Sequence, residues 1–296
     1  MAILFTITTA SSLLFSILRK LYLRRCKTPT GFAFFVAAIA LTAFICYFFW
    51  AIGKDISLTT ALFGVLFGVA TFFSHYFCIK ALEKGSYSIT MLVSSFSTVI
   101  PALSGLFLGE KISVTQIIGI ILITAFFIIQ FLAERQSTSK GWLWLCVGTF
   151  VTIGAIGVLQ KVHQSGDTAF ERASFLWVAF TVFSVIALGY LMIKLVKSRR
   201  EKLIGGDESA ATSAGAGFKW LAVVIAVASG LCIIVNNQLN LYLVGVTTSA
   251  MFFPFASGLT AVFNVVIGIL LFKERFSFKS VILMIVGIAA IVLVCI

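Results

Sequence analysis

Charge is what this sequence has least of. Asp, Glu, Lys and Arg make up only 11% of its 296 residues, against about a quarter in a soluble domain. Apolar residues reach 60% and mean hydropathy is +1.13. A soluble fold of this length cannot hide so much apolar surface. That excludes a soluble enzyme, a secreted disulfide scaffold and a disordered protein, and leaves the bilayer as the solvent. No basic residue precedes Arg19, so a cleavable signal peptide is not expected and the first apolar run is read as a retained span. The six cysteines, Cys26, Cys46, Cys78, Cys146, Cys232 and Cys295, form no CxxC or Cys/His ligand spacing and read as small buried hydrophobes. HExxH, GxSxG and paired catalytic carboxylates are missing, and Gly53-Lys54 lacks the glycines of a phosphate loop. The chain is therefore not expected to be an enzyme, to take a cofactor or metal, or to be driven by ATP.

What is present is span after span. A membrane helix needs about 20 apolar residues. Ten candidates run over approximately 2–21, 31–52, 58–82, 86–108, 114–133, 141–162, 170–196, 218–244, 247–271 and 278–296. The expected fold is all-α, an integral, multi-pass protein of the cell membrane. Two connections have length: the basic stretch Arg19–Pro29, and Ser198–Gly217, whose Gly-rich composition reads as a flexible loop. The net charge of +12 sits beside span ends, which fits orientation in a bilayer and no nucleic acid.

Gln136–Lys140 lies near the midpoint and reads as a linker between residues 1–135 and 141–296. The halves are similar. A shift of 164 positions lays Leu108-Gly109-Glu110-Lys111-Ile112-Ser113 on Phe272-Lys273-Glu274-Arg275-Phe276-Ser277. Each segment precedes an apolar helix holding a glycine, Gly119 or Gly287, and Ser113 with Gln116 forms a capping-box pattern. Five spans per half force the halves into opposite orientations, an arrangement transporters use with the substrate site near the midplane. The signature Pro101…Leu108-Gly109-Glu110-Lys111…Gln116…Gly119, with its weaker second copy, resembles that of the EamA-type drug/metabolite transporter superfamily. The resemblance implies two inverted five-helix repeats, cargoes among amino acids, metabolites, nucleotide sugars or drugs, and both termini in the cytoplasm. The Lys/Arg distribution implies the opposite orientation. Odd-numbered connections hold 18 of the 22 basic residues and even-numbered ones 4, which puts both termini outside.

An intramembrane polar side chain must face protein or a cavity. The eighth span carries Asn236, Asn237 and Asn240 on one face. They read as a cavity wall or as inter-helix glue. The third span lines up Gly64, Gly68, Thr71 and His75. His75 is a substrate contact and the one candidate proton carrier inside a span, or else a hydrogen-bonded bridge between helices. Ser94, Thr98 and Pro101 align in the fourth span, Ser257, Thr260 and Asn264 in the ninth, and Thr8, Ser12 and Ser16 in the first. Spans one, three, four, eight and nine are thus the expected cavity set, with six and seven contributing less. The nearly all-apolar fifth and tenth spans belong at the periphery, the tenth open to a homodimer contact that no motif specifies. Tyr190, Trp142 and Trp144 read as interfacial belt residues.

All ten acids fall at span ends or in loops, and no Lys or Arg is placed near a span centre; Lys80 and Lys161 are expected to snorkel. The expected cargo is accordingly small and neutral or zwitterionic. Glu110 and Glu274 are either gating residues or carboxylates bonded to the start of the next helix. The resulting expectation is a secondary transporter, an exporter working by alternating access, with Asn236, Asn237, Asn240, Ser94, Thr98, Ser257, Thr260, Asn264 and His75 on the substrate. The rivals are a lipid flippase and a non-transporting membrane partner.

Overall fold

The computed structural model describes residues 2–26, 28–85, 87–110, 113–134, 140–205 and 216–273, with Ala289 and Leu293. Regular structure among these residues is entirely α-helical: α1 Ala2–Arg25, α2 Pro29–Ala51, α3 Leu58–Lys84, α4 Tyr87–Phe96, α5 Val99–Phe107, α6 Val114–Glu134, α7 Lys140–Ser165, α8 Arg172–Gly205, α9 Ala216–Val246 and α10 Ser249–Leu270. Eight described segments are long and apolar enough to cross a membrane, with α4 and α5 counting as one. The 21-residue α6 is a further apolar helix. The expected tenth span apart from Ala289 and Leu293, Glu274 and residues 136–139 of the linker lie outside the described residues.

Local chemistry sets the helix ends. The Thr28 hydroxyl accepts from the Gly31 N–H at 3.0 Å, with Pro29 in the first turn of α2, where its missing N–H costs nothing. Ser57 caps α3 through the Thr60 N–H. The capping box at α6 forms as expected: the Ser113 N–H donates to Gln116 at 3.1 Å, and the Gln116 N–H to Ser113 at 3.2 Å.

Helix extends into two expected connections. α1 continues through Arg19 to Arg25, and α8 runs past Ser198 to Gly205. Lys, Arg, Leu and Glu are strong helix formers, and cations at a helix C-terminus meet the dipole favourably. Charge marks the edge of the apolar run without ending the helix. The fourth span, expected to be continuous, is broken between α4 and α5. Pro101 has no N–H for the Ser97 carbonyl, so the Ile100 N–H takes it instead at 3.1 Å, and the Thr98 N–H reaches back to Ser95 at 3.3 Å. α10 carries Pro254 without breaking.

α2 packs along α8 at the centre. Around this pair, α3 lies against α7 and α8, while α9 lies against α1 and α2. α10 closes one side against α4, α5 and α1, and α6 sits at the edge. As expected for a peripheral helix, α6 exposes Val114, Ile117, Ile118 and Ile121. The burial pattern suits a lipid solvent. Thr60, Thr90, Thr149, Ser174 and Ser229 are fully buried, while Phe49, Leu58, Val185 and Ile193 point outward. Glycine allows the closest approach: a Cβ on Gly68 would stand 2.3 Å from the Ala179 carbonyl oxygen, and one on Gly64 would meet Val178 at 2.9 Å.

Candidate functional site

The polar faces converge on a cavity of about 270 Å³. α1 presents Thr8, Ser12, Ser16 and Arg19; α3 presents Thr71, Ser74 and His75. From the broken span come Met91, Ser94, Ser95, Thr98 and Pro101, and from α9 Asn236, Asn237 and Asn240. α10 adds Phe252, Phe253, Ser257, Thr260 and Asn264. All nine residues expected from the sequence as substrate contacts therefore share one space. The cavity set is wider than expected, since Ile153, Ile156, Gly157 and Gln160 of α7, the sixth span, also line it. No described acid does.

The asparagines combine both roles weighed for them. Asn236 donates to Ser12 and to the Thr8 carbonyl at 3.3 Å, tying α9 to α1. Asn240 donates to Asn236 at 2.9 Å, and Asn237 receives Gln160 of α7 at 3.3 Å. Asn264 accepts from the Tyr87 hydroxyl at 2.7 Å. His75 is held by rings, stacked on Phe183 with centroids 5.4 Å apart and edge-on to Phe15 at 5.7 Å. The Thr98 hydroxyl folds back on the Ser95 carbonyl at the helix break, and the Thr260 hydroxyl on Ala256.

Arg19 corrects the sequence reading. That reading places it in a connection, but α1 carries it into the cavity wall, where it is 6% exposed. Its Nη2 points to the Met91 thioether at 3.0 Å, its guanidinium lies 5.0 Å from the Phe15 ring centre, and its Nε has no hydrogen-bond partner. A signal for it exists in the sequence: Thr8, Ser12, Ser16 and Arg19 continue one helical face in steps of four, four and three. Gln160 follows in the same way from Ile153, Ile156 and Gly157.

Lys161 is also corrected. It is 7% exposed, so it does not snorkel. It forms an ion pair with Glu110, and its ammonium also donates to the Val244 and Thr247 carbonyls. Glu110 does bond a helix start, but that of α10 rather than of the following α6: it accepts from the Ser249 N–H at 2.8 Å. One carboxylate thus ties the end of α5 to α7 and α10. Lys80 pairs with Glu83 at 2.7 Å near the end of α3. At the same end of the bundle as Glu110, Glu171 accepts from the Ser57 N–H at 2.9 Å and the Ser57 hydroxyl at 2.8 Å. Hydrogen bonding from Thr60 first, then from Ser57, holds the Glu171 carboxyl below the usual range.

Two tryptophan placements differ from each other. Trp144 is 74% exposed, as a belt residue would be. Trp142 is 1% exposed; it covers Gly85 and donates to the Thr90 hydroxyl at 3.3 Å, so it is a core residue. Tyr190 sits in a ring cluster with Phe32, Phe72 and Tyr76. Cys78, Cys146 and Cys232 are buried free thiols, while Cys26 and Cys46 are partly exposed.

Comparison with known proteins adds three findings. A solved crystal structure superposes over 99% of this chain and 97% of its own, with a TM-score of 0.64 at 14% identity, a likeness of fold. No curated protein matches the sequence significantly. Residues 1–132 match the model of the EamA-like transporter family. Family members are transporters rather than enzymes, which fits a multi-pass helical chain whose polar faces enclose a cavity. Over those first 132 residues the chain is similar to the EamA-like transporter family.

Proposed function

We propose that the protein is a secondary transporter, exporting small neutral or zwitterionic metabolites across the cell membrane by alternating access. The observation that carries the reading is the cavity itself: about 270 Å³, rich in polar side chains, and built by helices from both halves of the chain. A bilayer gives no reason to gather so many polar groups around one space unless a solute is to meet them.

The proposed architecture is ten spans in two inverted five-helix repeats. Matched contacts support it. α1 packs on α9 as α7 packs on α3, and α2 packs on α9 as α8 packs on α3. The turn after α5 and the turn after α10 also correspond: Gly109 has φ 77° and Lys273, 164 positions on, has φ 53°. In the cycle, the repeats rock about the cavity, and the Glu110–Lys161–Ser249 contact fastens one end of it. Asn236, Asn237, Asn240, Ser94, Thr98, Ser257, Thr260, Asn264 and His75 are the proposed solute contacts.

Flux in proteoliposomes tests this. Amino acids, nucleosides and polyols would be loaded with and without a pH gradient. Wild-type protein is expected to move at least one of them, and Asn240→Ala to slow it at least fivefold while remaining folded. Absence of flux for every solute from well-folded protein would overturn the transporter reading.

A further inference from the structure

We infer that the cargo carries a carboxylate and that Arg19 is its anchor. This rests on the transporter reading, narrows its cargo and extends it to monoanions. A guanidinium keeps its charge at any physiological pH and offers five N–H donors in a planar fork. Here it is buried, with 6% of the residue exposed. A buried charge in a membrane protein is normally met by an opposite charge or by several strong acceptors. Arg19 has neither. Its hydrogen-bonding contact is the Met91 sulfur, a weak acceptor, and its Nε is unpartnered. The Phe15 ring supports the cation without using any donor of the fork.

The cavity supplies no counter-charge, since no described acid lines it. It supplies neutral hydrogen-bonding groups instead: Ser12, Ser16, Ser94 and Asn264 share the space with Arg19. Hydroxyls and amides serve the remaining lone pairs of a bound anion and the polar groups beside it. A carboxylate matches the guanidinium fork in shape, takes two parallel hydrogen bonds, and neutralises the site on binding. The volume limits the cargo to one small molecule.

Matched acids and amides test the inference on the full-length protein. Acetate, 4-methylpentanoate and 3-phenylpropanoate would be compared with their amides, and leucine would be added as a zwitterion. Binding would be read by thermal stabilisation in detergent, and flux by liposome counterflow. At least one acid, or leucine, is expected to bind at least tenfold more tightly than the matching amide. Arg19→Gln should remove that preference, and Arg19→Lys should keep part of it. If leucine binds and 4-methylpentanoate does not, the carboxylate belongs to a zwitterion; the reverse assigns a monoanion. Amides binding as well as acids, no carboxylate of any size binding, or Arg19→Gln staying within threefold of wild type would each overturn the inference. The wild-type panel stands even if the variants fail to fold. Carboxylate binding without flux would support the anchor and sink the transporter reading; flux of neutral solutes alone would do the opposite.

Discussion

At the scale of single residues, the contact between Glu110 and Lys161 has the sharpest consequence. Lys161 is 7% exposed, and Glu110 also holds the Ser249 N–H at 2.8 Å. Removing one partner of a buried pair costs about 3 kcal/mol, because it strands the other charge. Lys161→Met should therefore lower the melting temperature in detergent clearly, while Glu110→Gln combined with Lys161→Met should cost less than the two single changes summed. Additive losses would show that the two side chains do not act together. The same scale shows what is legible in the sequence. Polar residues inside apolar runs stand out, and the helical period then assigns them to faces. That is why Asn236, Asn240, Ser257 and Asn264 can be named from the sequence alone. Arg19 is missed, because a charge at the edge of an apolar run reads as the end of the span. Glu110 is readable as a helix-start ligand, but which helix it serves depends on tertiary packing that no local pattern encodes.

At the scale of elements, the turn after α10 carries a testable strain. Lys273 adopts φ 53°, and the corresponding position after α5 is Gly109 at φ 77°. A side chain in that region costs about 1–2 kcal/mol, while glycine gives back some of the gain through its freer unfolded chain. Lys273→Gly should therefore raise stability by about 0.5 kcal/mol, read as a small upward shift in melting temperature. A fall would mean that the lysine makes contacts worth more than the strain. Helix existence is readable nearly everywhere, because long apolar stretches have no other state in a bilayer. Helix ends are not. Arg24, Arg25, Arg199 and Arg200 lie in helices although their charge reads as loop. The break at Ser97 and Thr98 follows from Pro101, yet Pro254 leaves α10 whole, so proline alone does not predict a break.

At the scale of the whole molecule, the distribution of basic residues predicts which way the bundle faces. Residues near Arg25 and residues near Lys54 lie at opposite ends of α2. Among the described residues, with Arg19 and Lys161 both withdrawn into the interior, the basic residues at the two ends number 13 and 2. The asymmetry therefore persists among the described residues, and the positive-inside rule predicts that the Arg25 end faces the cytoplasm. In a chain whose native cysteines have been replaced, Lys54→Cys should react with a membrane-impermeant maleimide in intact cells. Arg25→Cys should react only after permeabilisation. The reverse labelling would restore the orientation implied by the family resemblance. The family likeness of residues 1–132 is legible from one short signature, because the turn ending the fourth span is built from local residues. Cargo is not, because it depends on which side chains meet across helices distant in sequence.

The lone guanidinium in the cavity also bears on energetics across a polarised membrane. With no counter-charge among the described residues, this fixed cation makes the unloaded cavity positive, and a bound monocarboxylate makes it neutral. A full elementary charge crossing the field is worth about 2.3 kcal/mol per 100 mV. In a rocking cycle the loaded step then moves little net charge, and voltage acts on the return of the empty protein. Membrane potential would set how fast the carrier resets rather than how tightly it holds its load.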